Sequence, residues 1–174
     1  MKTLKHILVL GSALLMLMAG CQKETVITPI IEDDSTTSLP YGNIPSPRWS
    51  VDPDYDYGSS MTAVVCVDLA QTYTLAPEVW SIAPGDKIGA FVGDPLSGNA
   101  ECVGVATPTM YEEGNDKRLF FLYIVEPQGW EDITLWYYSE KFHNIFRAES
   151  SFPFENGGRF GTIDNPAYPL WWAQ

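Results

Sequence analysis

The chain is short of histidine, cysteine and positive charge, and each shortage closes off a class of function. Its 174 residues include two histidines, His6 and His143. A nucleophilic triad needs a histidine base or an equivalent group, so hydrolysis of that kind is not indicated. The three cysteines, Cys21, Cys66 and Cys102, contain no CxxC pair. Without that spacing, and with a single histidine beyond residue 20, no cysteine–histidine metal centre is expected. Lys and Arg number 10 against 22 Asp and Glu, a net charge of −12. Affinity for a phosphate backbone comes from Lys and Arg, so nucleic acid is excluded as a partner. No glycine-rich phosphate cradle leads from a strand into a helix, and no cofactor is implied.

Helical periodicity and long apolar runs are also missing. The longest apolar run, Ile7 to Met18, is about a dozen residues and follows Lys2 and Lys5. It is too short to span a bilayer, and its charged front and apolar middle read as an export signal. Leu17-Met18-Ala19-Gly20-Cys21 resembles a lipobox, which predicts cleavage before Cys21 and lipidation of that cysteine. Lipid chains would make the protein membrane-anchored, each buried methylene contributing about 0.8 kcal/mol. The expected layout is a signal peptide over 1–20, a flexible acidic linker rich in Ser, Thr and Pro over 21–47, and a folded domain over 48–174. Without Lys2 and Lys5 the anchored chain carries a charge of about −14. The expected location is the outer membrane, exposed at the cell surface, with a periplasm-facing domain as the alternative.

What is present is strand signal. Met61–Asp68 is β-branched and apolar. Lys87–Val92 and Glu101–Ala106 flank a Gly/Pro/Ser/Asn loop and read as a hairpin. Gly89 and Gly104 mark places where a strand bends or another backbone comes close. Arg118–Val125 is apolar on both faces, and Asp132–Ser139 carries aromatics on both. A weaker strand is expected over Gln71–Trp80, and a further one, or a short helix, over Lys141–Glu149. A closing apolar strand ends at Trp172. Short strands separated by turn signals predict an all-β fold, a single β-sandwich of Ig-like or jelly-roll-like type. Aromatic residues make up 13% of the chain and would fill much of its core, with Phe91, Phe121, Ile133 and Leu135 expected to share one core. Trp80 and Trp136 are placed in that core or at its edge. Cys66 and Cys102 could pair as a disulfide in an oxidising compartment, or could be two buried thiols. The alternating aspartates from Asp52 fail as a calcium loop, because the sixth position is Tyr57 and the twelfth is Ala63. They read as turn residues.

The order of these motifs resembles a β-sandwich domain of Bacteroidetes surface lipoproteins and secreted cell-surface proteins. Trp49 is followed by Ser60-Met61-Thr62, then by Asp86-Lys87-Ile88-Gly89-Ala90-Phe91-Val92-Gly93-Asp94, and then by Glu101-Cys102-Val103-Gly104-Val105-Ala106. Phe120 to Ile124 and Ile133 to Tyr138 complete the series. Two departures are an insertion at Pro95–Ala100 and Val103 where Arg is common. The resemblance implies a fold and a location; it brings no catalytic activity.

Paired carboxylates alone could hydrolyse a glycoside, and Glu101, Glu112, Glu113, Glu126, Glu131 and Asp132 are available. Acidic loop residues are ordinary at this charge, so the chain reads as non-catalytic. The positive feature is aromatic. Tyr111, Trp130 and Trp172 fall in loops or near the chain end, where a large ring is hard to bury. Glu112 and Glu113 adjoin Tyr111, and Glu131 and Asp132 adjoin Trp130. Flat rings stack on sugars and carboxylates accept their hydroxyls, so Tyr111, Glu112, Glu113, Trp130, Glu131 and Asp132 are the candidate ligand-binding set for a glycan; the alternative for the rings is that they cap the ends of the sandwich. The alternative is a structural or adhesive subunit that binds a cell-surface protein through exposed strand edges.

Overall fold

A computed structural model of the chain describes residues 40–54, 58–75, 81–110, 118–129 and 132–174, all inside the compact unit Thr36–Gln174. Nine strands are present among them: β1 Ser60–Cys66, β2 Lys87–Asp94, β3 Asn99–Ala106, β4 Pro108–Met110, β5 Arg118–Val125, β6 Ile133–Ser139, β7 Asn144–Phe152, β8 Arg159–Phe160 and β9 Trp171–Ala173. One 3₁₀ turn, Leu69–Gln71, is capped by Asp68, which accepts from the Ala70 N–H at 3.0 Å. The strands form two sheets, in the orders β4-β5-β1-β8 and β3-β2-β6-β7-β9. The chain crosses between the sheets repeatedly, so each holds segments distant in sequence. β1 and β8 pair in parallel; the other strand pairs are antiparallel. The fold is a β-sandwich.

Period-two alternation explains the interior. Met61, Ala63 and Val65 of β1 and Phe120, Leu122 and Ile124 of β5 turn inward from one sheet. Ile88, Ala90, Ile133, Leu135, Tyr137, Phe146 and Trp171 meet them from the other. At Gly104 of β3 the two sheets approach closely. A Cβ there would stand 2.9 Å from the Tyr123 carbonyl oxygen of β5, so only glycine fits. At Gly89 the space above the backbone is taken by the rings of Phe91 and Trp49.

The expected shared core of Phe91, Phe121, Ile133 and Leu135 divides. Ile133 and Leu135 lie between the sheets, whereas Phe91 and Phe121 point outward on opposite sides of the sandwich. Register decides this. In β5 the inward places go to Phe120, Leu122 and Ile124, which leaves Phe121 and Tyr123 on the outer surface, 38% and 63% exposed. Phe91 is nonetheless buried. It belongs to a second apolar cluster with Trp136, Tyr138 and Ile145, on the outer face of the five-stranded sheet.

A segment expected to be linker helps cover that cluster. Pro40 is buried, and the Asn144 side-chain amide donates to its carbonyl at 2.9 Å. The N–H groups of Gly42 and Ile44 donate to the carbonyls of Phe142 and His143. Lys87 Nζ reaches Ser46 Oγ and the Pro47 carbonyl at 3.0 and 2.9 Å, and Ile44 and Trp49 pack on the cluster. Folded contacts therefore begin before residue 48. The segment has no apolar period because backbone hydrogen bonds to the β6–β7 turn fix it.

Of the two alternatives for Cys66 and Cys102, the structure has the thiols: they are not bridged, and Cys66 is buried while Cys102 is half-buried. Cys66 alternates with inward Val65 and so faces out from the four-stranded sheet, while Cys102 packs with the outer cluster of the other sheet. Sheets stack about 10 Å apart, and a disulfide tolerates Cα separations of only about 4.4–6.8 Å. The expected strand over Gln71–Trp80 is not formed in its described part, which ends the 3₁₀ turn and continues as coil. Residues 140–143 form a turn with His143 at φ 47°, and the strand starts at Asn144. Asp52 accepts from the Asp54 N–H at 3.0 Å, the turn role expected of it.

Candidate functional site

Of the residues singled out from sequence, Cys21, Tyr111, Glu112, Glu113, Trp130 and Glu131 lie outside the described residues, as does Trp80. Asp132 is described. It stands exposed just before β6, beside an open depression of about 400 Å³ on the outer face of the five-stranded sheet. Gly93 and Asp94, from the end of β2, form one side of the depression. Thr134 and Trp136 of β6 and Arg147 of β7 line it, and Gln174 closes it beyond β9.

Strand pairing explains why these side chains meet. Trp136 lies directly across from Arg147, and Arg147 directly across from Trp172. Opposed Cβ atoms stand about 4.5–5.5 Å apart, so the three side chains make one row over β6, β7 and β9. Trp171 points into the core, so alternation turns Trp172 outward, 47% exposed. The Arg147 guanidinium carbon is 6.0 Å from the centre of the Trp136 ring, within range of a cation–π contact. Next to this row the ladder is irregular. Between the pairs Thr134–Ser151 and Trp136–Arg147, three residues of β7 stand against Leu135 alone. Such bulges re-aim side chains and are common beside functional sites.

The hairpin tip is fixed by Asp94. Its Oδ1 accepts from the Leu96 N–H at 2.8 Å, and its carbonyl accepts from the Ser97 N–H and hydroxyl. Gly93, at φ 82°, would bring a Cβ within 2.7 Å of the Asn99 carbonyl, so the tip needs glycine. Leu96 and Ser97 of the hairpin loop thus hold Asp94 in position. On the opposite edge, both carboxylate oxygens of Glu101 accept from the Gln128 N–H, at 3.2 and 3.0 Å. This ties β3 to the loop that leads toward Asp132.

The site is polar and charged over an aromatic floor. Trp136 is 2% exposed and its Nε1–H has no acceptor. Asp94 and Asp132 offer carboxylate oxygens, Thr134 a hydroxyl, Gln174 an amide and Arg147 a planar fork of donors. The depression thus presents both acceptors and donors, above a ring that is itself buried.

Buried ionisable groups lie elsewhere. Asp86 is fully buried and accepts from the Tyr137 hydroxyl at 2.7 Å and from the Glu140 and Ala83 N–H groups, each at 2.8 Å. Burial raises its carboxyl above the ordinary value, while those three hydrogen bonds pull the other way. Burial likewise drives the Tyr137 hydroxyl well up, with the Asp86 charge adding to it. This network fastens the start of β2 to the β6–β7 turn. Burial pushes the Cys102 thiol up to about 11, which holds it in the neutral form.

Comparison with family models, with curated proteins and with solved structures finds no match to this chain. Among the described residues there is no group of three or more His, Cys, Asp or Glu side chains placed to hold a metal. Among them, too, no helix is long and apolar enough to cross a membrane.

Sequence reasoning found Asp132 and the exposure of Trp172, and missed Asp94, Thr134, Arg147 and Gln174. The strand order β2-β6-β7-β9 brings these together, and no local spacing encodes it.

Proposed function

We propose that the domain is a non-catalytic recognition module, anchored at the outer membrane through lipid on Cys21, that binds a glycan. One observation carries this reading: exposed Trp172 stands in register with Arg147, which lines a depression supplied with Asp94 and Asp132. An exposed indole stacks on the apolar face of a sugar ring, and carboxylates beside it take the ring hydroxyls. Trp130 and Glu131, which precede Asp132 in sequence, and Tyr111, Glu112 and Glu113 belong to the same reading on sequence grounds.

The test is a glycan array probed with wild-type protein and Trp172→Ala. The variant should melt within about 1 kcal/mol of wild type, as for an exposed surface position, and should lose retention of any glycan that wild type holds. An empty array for wild type would overturn the reading. Anchoring is checked separately, since labelled palmitate should enter wild type and not Cys21→Ser.

A second reading, an assembly or adhesive subunit, is favoured by exposed Phe121 and Tyr123 on the other sheet. Size-exclusion chromatography, together with an empty array, would support it.

A further inference from the structure

We infer that the sugar taken by this site carries a carboxylate, and that Arg147 is the residue that holds it. The inference rests on the glycan reading above and narrows it to acidic sugars of the hexuronate class.

Acidic side chains outnumber basic ones by 22 to 10, so an acidic neighbour would be the ordinary partner of a cation here. Arg147 has no such partner among the described residues. It lines the same depression as Asp94 and Asp132, and its recorded partner is the Trp136 ring. The guanidinium fork is exposed, with its N–H donors uncommitted. Arginine presents those donors in a planar array that matches a carboxylate in bidentate fashion.

The depression is therefore divided in sign. Arg147 supplies positive charge beside β9, and Asp94 and Asp132 supply negative charge on the β2 and pre-β6 side. A neutral sugar would satisfy the carboxylates and leave the guanidinium to water. An amino sugar could set its ammonium against the aspartates, and it too would leave the guanidinium to water. A hexuronate matches both parts, with its carboxylate on Arg147 and its hydroxyls donating to the two aspartates. Trp172, directly across from Arg147, offers the stacking surface. The Trp136 Nε1–H is sealed from solvent, so the donors that a ligand meets first are those of Arg147.

The test compares short oligomers of galacturonate, glucuronate and mannuronate with their carboxyl-reduced, neutral counterparts, using the intact domain in isothermal titration. At least one uronate should bind roughly tenfold or more tightly than its neutral counterpart, as expected for a charge-assisted hydrogen-bonded contact. That preference should weaken as salt is raised. Arg147→Gln should remove the preference while binding of the neutral oligomer persists. Arg147→Lys, which keeps the charge and loses the fork, should retain only part of it and also guards against a folding defect in the first variant. Equal affinity for uronate and neutral oligomers would overturn this inference and leave the glycan reading standing. An undiminished preference in Arg147→Gln would overturn the role of Arg147. Failure of every oligomer, acidic and neutral, to bind would count against both.

Discussion

The sandwich has two outward faces, and they are finished differently. On the five-stranded sheet, Phe91, Trp136, Tyr138 and Ile145 form a buried outer cluster, with Ile44 and Trp49 of the preceding segment packed on it. On the four-stranded sheet, Phe121 and Tyr123 stand across from Val64 and Thr62 and are open to solvent. Both faces come from strands rich in large apolar residues, so composition does not separate them. What separates them is whether another stretch of chain lies across the sheet. The covered face can support a shaped depression at the end of its cluster, because the rings beneath are held in place. The bare face offers area without relief.

The sharpest way to break this contrast is at the two phenylalanines. Phe91→Ala should lower stability by about 3 kcal/mol, the range for a truncated buried ring, measured by denaturant unfolding. Trp49→Ala comes next, at about 2 kcal/mol, because it removes the edge-to-face partner of Phe91, whose ring centre is 5.3 Å away. Losses of that size would establish the covering segment as part of the folded unit; negligible losses would reduce it to a loose drape.

A subtler test addresses the join between the covered sheet and its β6–β7 turn. Folding raises the Asp86 pKa through burial, so the folded chain holds that proton more tightly than the unfolded chain does. The stabilisation linked to protonation is therefore fully present below the ordinary aspartate value of 3.8. It is lost as pH rises through the higher folded value. The melting temperature of wild type relative to Asp86→Asn should fall as pH rises across that window. A difference that grows with pH would reverse the sign and reject burial as the dominant cause. The smallest effect is expected on the bare face, where Phe121→Ala should change stability by less than about 1 kcal/mol. A cost matching that of Phe91→Ala would erase the distinction between the faces.

Much of the strand content was legible, because alternation and turn residues are local signals. Met61, Ala63 and Val65 alternate with less buried neighbours, and the first strand of the central hairpin is bracketed by Asp86 and Asp94. Three things were not legible. The inward or outward choice in Arg118–Val125 depends on which neighbour covers the strand, and FFLY gives no local preference. The covering segment from Pro40 is attached by hydrogen bonds to residues about 100 positions away, which leave no apolar period. The candidate site joins Asp94, Thr134, Arg147 and Gln174 across four strands' worth of chain. Asp132 was found only because it follows a Pro-Gly turn with Trp130.

The two thiols supply a pair of clocks. Cys66 belongs to β1, flanked on both sides by β5 and β8, whereas Cys102 belongs to β3 at the rim of its sheet. Cys66 is 5% exposed, and the Cys102 thiol is pushed up to about 11, so a thiol reagent at neutral pH reacts slowly with either until a strand opens. The rate at which each peptide gains the label then times the opening of its own sheet. Cys102, on the rim strand, should be modified first and Cys66 last. A ligand seated on the five-stranded sheet should slow the first clock more than the second, which would let binding be followed without labelling any sugar.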